Sequence, residues 1–136
     1  MSFNLLAIVI ATVAGMLVGV IWFRPKVFGD RWQALTGVDP NKPRRPAVVF
    51  PLSFLMGAIT AVTLSAAASS AVARYGGSPL VVTLVTASVL WLGFTAATAA
   101  VHYLFEGRHP AIFAINTGHQ LVTALVMAVV IGLFGF

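Results

Sequence analysis

Two histidines and one carboxylate stand out in a chain that is otherwise poor in titrating groups: His102, Glu106 and His119. His102 and Glu106 are four residues apart, which puts two potential metal or proton ligands on one side of a helix. Three donors without a fuller spacing pattern are only a weak metal candidate, so the expectation is no metal and no cofactor. Around them lie groups that hydrogen-bond without titrating: Thr95 and Thr98 before His102, and Asn116, Gln120 and Thr123 around His119. On a helix, Asn116, His119, Gln120, Thr123 and Met127 fall within one arc of roughly 100°. Trp91, Thr95, Thr98, His102 and Glu106 share a second, narrower arc. Such faces can line a pocket or pathway for a small solute or ion. They can equally do no more than bond neighbouring helices together.

No catalytic constellation accompanies them. The only acids are Asp30, Asp39 and Glu106, too far apart in the chain to form an evident carboxylate pair. There is no cysteine, and so no thiol nucleophile, disulfide or thiolate metal site. No glycine-rich phosphate loop is present. The chain is therefore expected not to be an enzyme.

The surroundings of these residues are apolar. Of 136 residues, 60% are hydrophobic and 8% charged, with a mean hydropathy of +1.00. A soluble domain carries about 25% charged residues, so this composition points to hydrocarbon as the solvent. Four segments, about 3–23, 47–72, 80–105 and 111–136, reach the roughly 20 residues that cross a bilayer core. Breakers separate them: Arg24-Pro25, the Pro-rich stretch 39–46, Gly76-Gly77-Ser78-Pro79, and 107–110. The first segment lacks a basic start and a small-x-small end, so it is expected to be retained rather than cleaved. The expectation is one transmembrane domain over 1–136: all-α, an integral membrane four-helix bundle.

Charge sets an orientation. Six of the eight Lys and Arg residues lie between 24 and 45, and Arg108 adds a seventh in the third loop. The second loop holds only Arg74. Positive loops stay inside, so loops one and three are expected in the cytoplasm and both termini outside, in a cell (inner or plasma) membrane. The basic balance thus reads as topology and attraction to anionic lipid headgroups, not as nucleic-acid binding.

Small residues recur every fourth position: Ala7, Ala11, Gly15 and Gly19 in the first span, Gly57, Ala61, Ser65 and Ser69 in the second. In lipid, helices associate by close backbone approach, which small residues permit. These stripes are expected to be helix-packing faces, within one chain or between copies, and homo-oligomerisation would bury any surplus. In loop one, Phe28, Trp32 and Leu35 share one side of a short helix capped by Asp30 and Gly37. An aromatic side near basic residues suits an amphipathic helix in the headgroup layer, with a lid over an opening as the alternative.

The run from an apolar span ending in Trp-Phe, through VFGDRWQALTG, WLGF and YLFEGR, to FAINTGHQLVTALVM resembles a bacterial family of small four-span membrane proteins, domain of unknown function 1761. The resemblance covers about residues 5–135. It implies a membrane location and four helices, and it transfers no activity or catalytic residue. The functional expectation is a homo-oligomeric channel or transporter-like protein for a small solute or ion. The alternatives are a structural or accessory protein whose polar faces only fix packing, and an intramembrane metal or enzymatic site.

Overall fold

The computed structural model describes residues 3–39 and 45–136. Among them there are helices and no strands: α1 Leu5–Trp22, a short α2 over 25–36, α3 Pro46–Tyr75, α4 Pro79–Glu106 and α5 Pro110–Phe134. Most of the Pro-rich stretch 39–46, at 40–44, lies outside the described residues. α1, α3, α4 and α5 are each long and apolar enough to cross a membrane. Each of α3, α4 and α5 opens on a proline, where the missing N–H has no intrahelical partner to lose. α1 packs between α3 and α5, and α4 touches α3 and α5 on the other side, so the four long helices form a closed ring of neighbours.

The chain ends are tied together. Asn4 caps α1 by accepting from the Ala7 N–H at 3.1 Å, and its Nδ2 donates to the Phe134 carbonyl at 2.9 Å. Its backbone N–H donates to the Phe136 carbonyl at 3.0 Å. One residue thus satisfies an orphan donor of α1 and an orphan acceptor at the end of α5.

The tightest packing lies in the half of the molecule nearest the termini. Ile8, Ala11, Ala61, Leu64, Ala87, Met127, Ala128 and Ile131 form one buried cluster. Small residues set the helix separations there. A Cβ on Gly132 would lie 2.7 Å from Leu80 Cα, so α5 meets the backbone of α4 directly. Toward the basic loop the packing opens. Residues 45–56, covering the first three turns of α3, are all exposed.

Two helices depart from regular winding. α2 begins as a π turn, Pro25–Gly29, in which the Gly29 N–H donates five residues back to the Arg24 carbonyl at 2.9 Å. A Cβ on Gly29 would overlap the Phe23 carbonyl, so glycine is what lets α2 fold tightly onto the end of α1. The expected cap at Asp30 is therefore corrected: the helix is already wound from Pro25, and Asp30 has helical backbone angles. Gly37, at φ 71°, does end the helix in the left-handed conformation. The second departure is a π turn at Trp91–Ala96 inside α4.

Replacing Gly132 with valine pushes side-chain atoms into the Leu80 backbone. We expect a loss of about 1–3 kcal/mol, the usual range for overpacking, seen as a lower thermal midpoint in detergent. Gly93→Ala, with open space around it, is expected to be neutral or stabilising by up to about 1 kcal/mol.

Candidate functional site

The three tryptophans of the chain converge on one stretch of α5. Trp22 Nε1 donates to the Ile115 carbonyl at 3.1 Å, Trp32 Nε1 to Asn116 Oδ1 at 3.0 Å, and Trp91 Nε1 to the Thr117 carbonyl at 2.8 Å. A helical carbonyl has a second lone pair, so Ile115 and Thr117 can accept an indole beside their own helical bonds. Gly118 makes room: a Cβ there would lie 3.3 Å from the Trp22 ring. Asn116 uses both ends of its amide, its Nδ2 donating to Tyr103 Oη at 2.6 Å. Tyr103 is held in turn by Phe113, edge-on at 5.4 Å, and by the Arg108 guanidinium 4.9 Å from its ring centre.

One turn further along α5 stands His119. Its ring lies 5.1 Å from Phe23 and 6.3 Å from Trp22, and its Nε2 is 3.4 Å from Thr123 Oγ1. Opposite it, α1 presents glycine: a Cβ on Gly19 would lie 3.3 Å from His119 Nε2, and one on Gly15 would lie 2.6 Å from Met127 Cε. Where α3 leans away, these groups wall a crevice of about 280 Å³ between α1, α3 and α5. Its deep end is Thr12, Gly57 and Met127; its rim is Val20, Phe50 and Ser53. The Thr12 hydroxyl already donates to the Ile8 carbonyl at 2.7 Å, which leaves Ser53, His119 and Thr123 as the side chains able to meet a guest. A larger groove of about 400 Å³ between α3 and α4 is lined mainly by valines. Its Thr86 hydroxyl donates to the Val82 carbonyl, so that groove offers little beyond apolar surface.

The two expected polar arcs do not meet. On α5, Asn116, His119 and Thr123 are half-buried against protein, but Gln120 is exposed. On α4, Thr98, His102 and Glu106 are exposed, and the Thr98 hydroxyl donates back to its own helix at Phe94. Thr95 is half-buried at the border. The cause is the π turn. The inward positions run Thr83, Ala87, Trp91, then Ala96, Ala100 and Tyr103, with a step of five where regular winding would give four. Every residue past the turn is rotated by one position, which takes His102 out and brings Tyr103 in. His102, Glu106 and His119 accordingly do not gather, and the described residues contain no group of three potential metal ligands.

The stripes sit differently on their two helices. Ala7, Ala11 and Gly15 are buried and Gly19 is half-buried against His119. Ala61 and Ser65 are buried, with Gly57 and Ser69 half-buried. The aromatic side of α2 is turned onto protein rather than outward: Phe28 lies 4.5 Å from Trp22, Trp32 lies 5.5 Å from Phe23, and Leu35 is half-buried. Tyr103 and Ser53 were not anticipated as site residues. For Tyr103 the signal was present, because a hydroxyl on a ring inside a span needs a partner.

By length and composition four helices could each cross a membrane, and a small, mostly apolar crevice lies between three of them. Over residues 6–132 the chain matches the family described as a protein of unknown function, DUF1761, and it belongs to that family. No curated protein and no solved structure matches it.

Asn116→Ala removes the acceptor of Trp32 and the donor to Tyr103 together. A double-mutant cycle of Asn116→Ala with Trp32→Phe is expected to show coupling of about 0.6–2 kcal/mol in detergent unfolding. Additive effects would mean that the 3.0 Å bond contributes nothing.

Proposed function

We propose that this protein binds a small solute in the crevice beside His119, as a transporter-like membrane protein rather than an open pore. The observation that carries the reading is a half-buried imidazole at the wall of an apolar cavity, next to a threonine hydroxyl and facing glycine. A few polar groups in a mainly apolar hollow are the usual make-up of a small-ligand site. The volume is at the small end of such sites. A polar passage between α4 and α5 receives no support, because His102 and Thr98 face away from α5.

In this reading the four long helices form a bundle in lipid, loops one and three are cytoplasmic, and α2 covers the cytoplasmic end. Trp32 packs on Phe23 and Phe23 on His119, so α2 is linked to the crevice wall through two ring contacts. Exposed Gln120 and His102 favour contact with further copies, since polar side chains are costly against acyl chains. The accessory reading has one observation of its own: Asn116, Trp91 and Tyr103 use their polar atoms to fix helix positions.

The test is native mass spectrometry of the protein released from its own membrane. A bound small molecule is expected on the wild type and is expected to be lost, or reduced about tenfold (near 1.4 kcal/mol), in His119→Ala. An adduct-free wild type that keeps its thermal midpoint would leave the accessory reading. For orientation, a reporter that works only in the cytoplasm is expected to be active when inserted after Gly37 and silent when fused after Phe136. The opposite pattern would invert the topology.

A further inference from the structure

We infer that the occupant of the crevice is a single-chain anionic amphiphile, a long-chain carboxylate being the simplest, which enters sideways from the bilayer between α1 and α3. The inference rests on the binding role proposed above and names its ligand class.

Three features of the crevice carry it. The first is where it opens. Its rim residues Val20 and Phe50 are 53% and 57% exposed on helices of membrane-spanning length, and residues 45–56 of α3 are all exposed. A guest therefore comes from the hydrocarbon side, where water-soluble solutes are scarce.

The second is the order of chemistry along its length. From Thr12 to Val20 the α1 wall rises about 12 Å at 1.5 Å per residue. The inner end is methyl groups and thioether: the Thr12 methyl beside Gly57, and Met127 beside Gly15. Of the groups able to meet a guest, His119 and Ser53 stand toward the rim, and the Thr123 hydroxyl, 3.4 Å from His119 Nε2, lies deeper beside Gly15. A molecule lying along this gradient puts its tail toward Met127 and its head toward the basic loop, as a lipid chain lies in a leaflet. Met127, Thr123 and His119 already fill the glycine notches of α1, and a crevice of about 280 Å³ has room for one acyl chain but not for two side by side.

The third is charge. α1 runs on into exposed Arg24, and α3 begins after exposed Arg45, so each rim helix carries a cation just beyond the crevice mouth. No acid lies on either helix. A head that leaves the crevice at His119 meets positive charge, and a carboxylate is favoured over a neutral alcohol of the same length.

The probes are photoreactive diazirine analogues of palmitic acid, of hexadecanol and of a diacyl phosphatidylcholine, applied to the full chain in phosphatidylcholine vesicles. The carboxylate probe is expected to label the segments around Gly15–Gly19 and His119–Met127, and excess unlabelled palmitate is expected to suppress that labelling. Ser53→Trp, which fills the rim from an exposed position, is expected to lower it at least about tenfold, with Val20→Trp on the opposite rim as the second block if the first variant loses its thermal midpoint. Arg24→Gln with Arg45→Gln is expected to weaken the carboxylate probe and leave the alcohol probe unchanged. Labelling spread over exposed positions such as Leu92, Leu133 and Phe134, or equal labelling by the diacyl probe, would mean ordinary surrounding lipid and would overturn the inference. So would equal labelling by the alcohol. If native mass spectrometry shows a Ser53→Trp-sensitive guest that palmitate does not displace, the ligand class is wrong and the binding role stands. If no guest depends on the crevice, both fall.

Discussion

An indole N–H inside hydrocarbon has no water to bond, so it must find an acceptor on another helix or remain unpaired at a cost of several kcal/mol. This chain contains three indole donors, and all three end on residues 115–117 of α5. That requirement organises the molecule. Trp22 fixes the end of α1, Trp32 fixes α2, and Trp91 fixes the middle of α4, each against the same helical turn. Each bond is modest, about 0.6–2 kcal/mol in a membrane setting. Their joint effect is positional, because three elements share one reference point and none can slide without losing a bond that lipid will not replace. FGDRW and YLFEGR, far apart in sequence, both meet FAINTGHQ at Asn116, the first through Trp32 and the second through Tyr103.

The part of the structure legible in the sequence is what depends on hydropathy and breakers alone. The four long apolar helices lie within a few residues of where the runs end at Arg24-Pro25, Gly76–Pro79 and 107–110. The α5 arc was legible as far as Asn116, His119 and Thr123, because α5 winds regularly from Pro110. The α4 arc was not. Counting about 100° per residue assumes that no residue is inserted, and the π turn at Trp91–Ala96 inserts one. Nothing in WLGFTA forces that turn by propensity. Its evident role lies in tertiary contacts: Trp91 and Tyr103 both face α5, which is possible only when the turn between them is wide. Likewise the aromatic side of α2 reads equally well as facing lipid or protein. Only the acceptor on Asn116 and the tight bend at Gly29 decide it.

The small-residue stripe of α1 has two uses along its length. Near the termini, Ala7 and Ala11 let helices close up, and the buried cluster of Ile8, Leu64, Ala128 and Ile131 forms around them. Toward the basic loop the same spacing continues as Gly15 and Gly19, but the facing residues are now Met127 and His119, large enough to fill the notches. A third helix would seal this half as it seals the other, yet the first three turns of α3 stay exposed here. Pro51 lies within that stretch and removes one helical hydrogen bond, which makes straight, close packing there harder to hold. The crevice is thus what remains when two helices stay in register and the third diverges.

The bond between Trp32 and Asn116 lies beside the crevice wall, and ring contacts link the two. Asn116 and His119 lie three apart on α5, on one side of the helix. Phe23 touches the rings of both Trp32 and His119. Release of Trp32 from Asn116 would free Phe23 and open space beside the imidazole. A guest that displaces the His119 ring would push Phe23 against Trp32. Coupling of this kind is reciprocal: whatever free energy an occupied crevice adds to or removes from the docking of α2, the docking of α2 adds to or removes from occupancy. The placement of α2 therefore has a consequence that a surface anchor would lack. A helix lying in headgroups could detach without effect on the interior, whereas this one cannot move without disturbing the wall on which His119 stands.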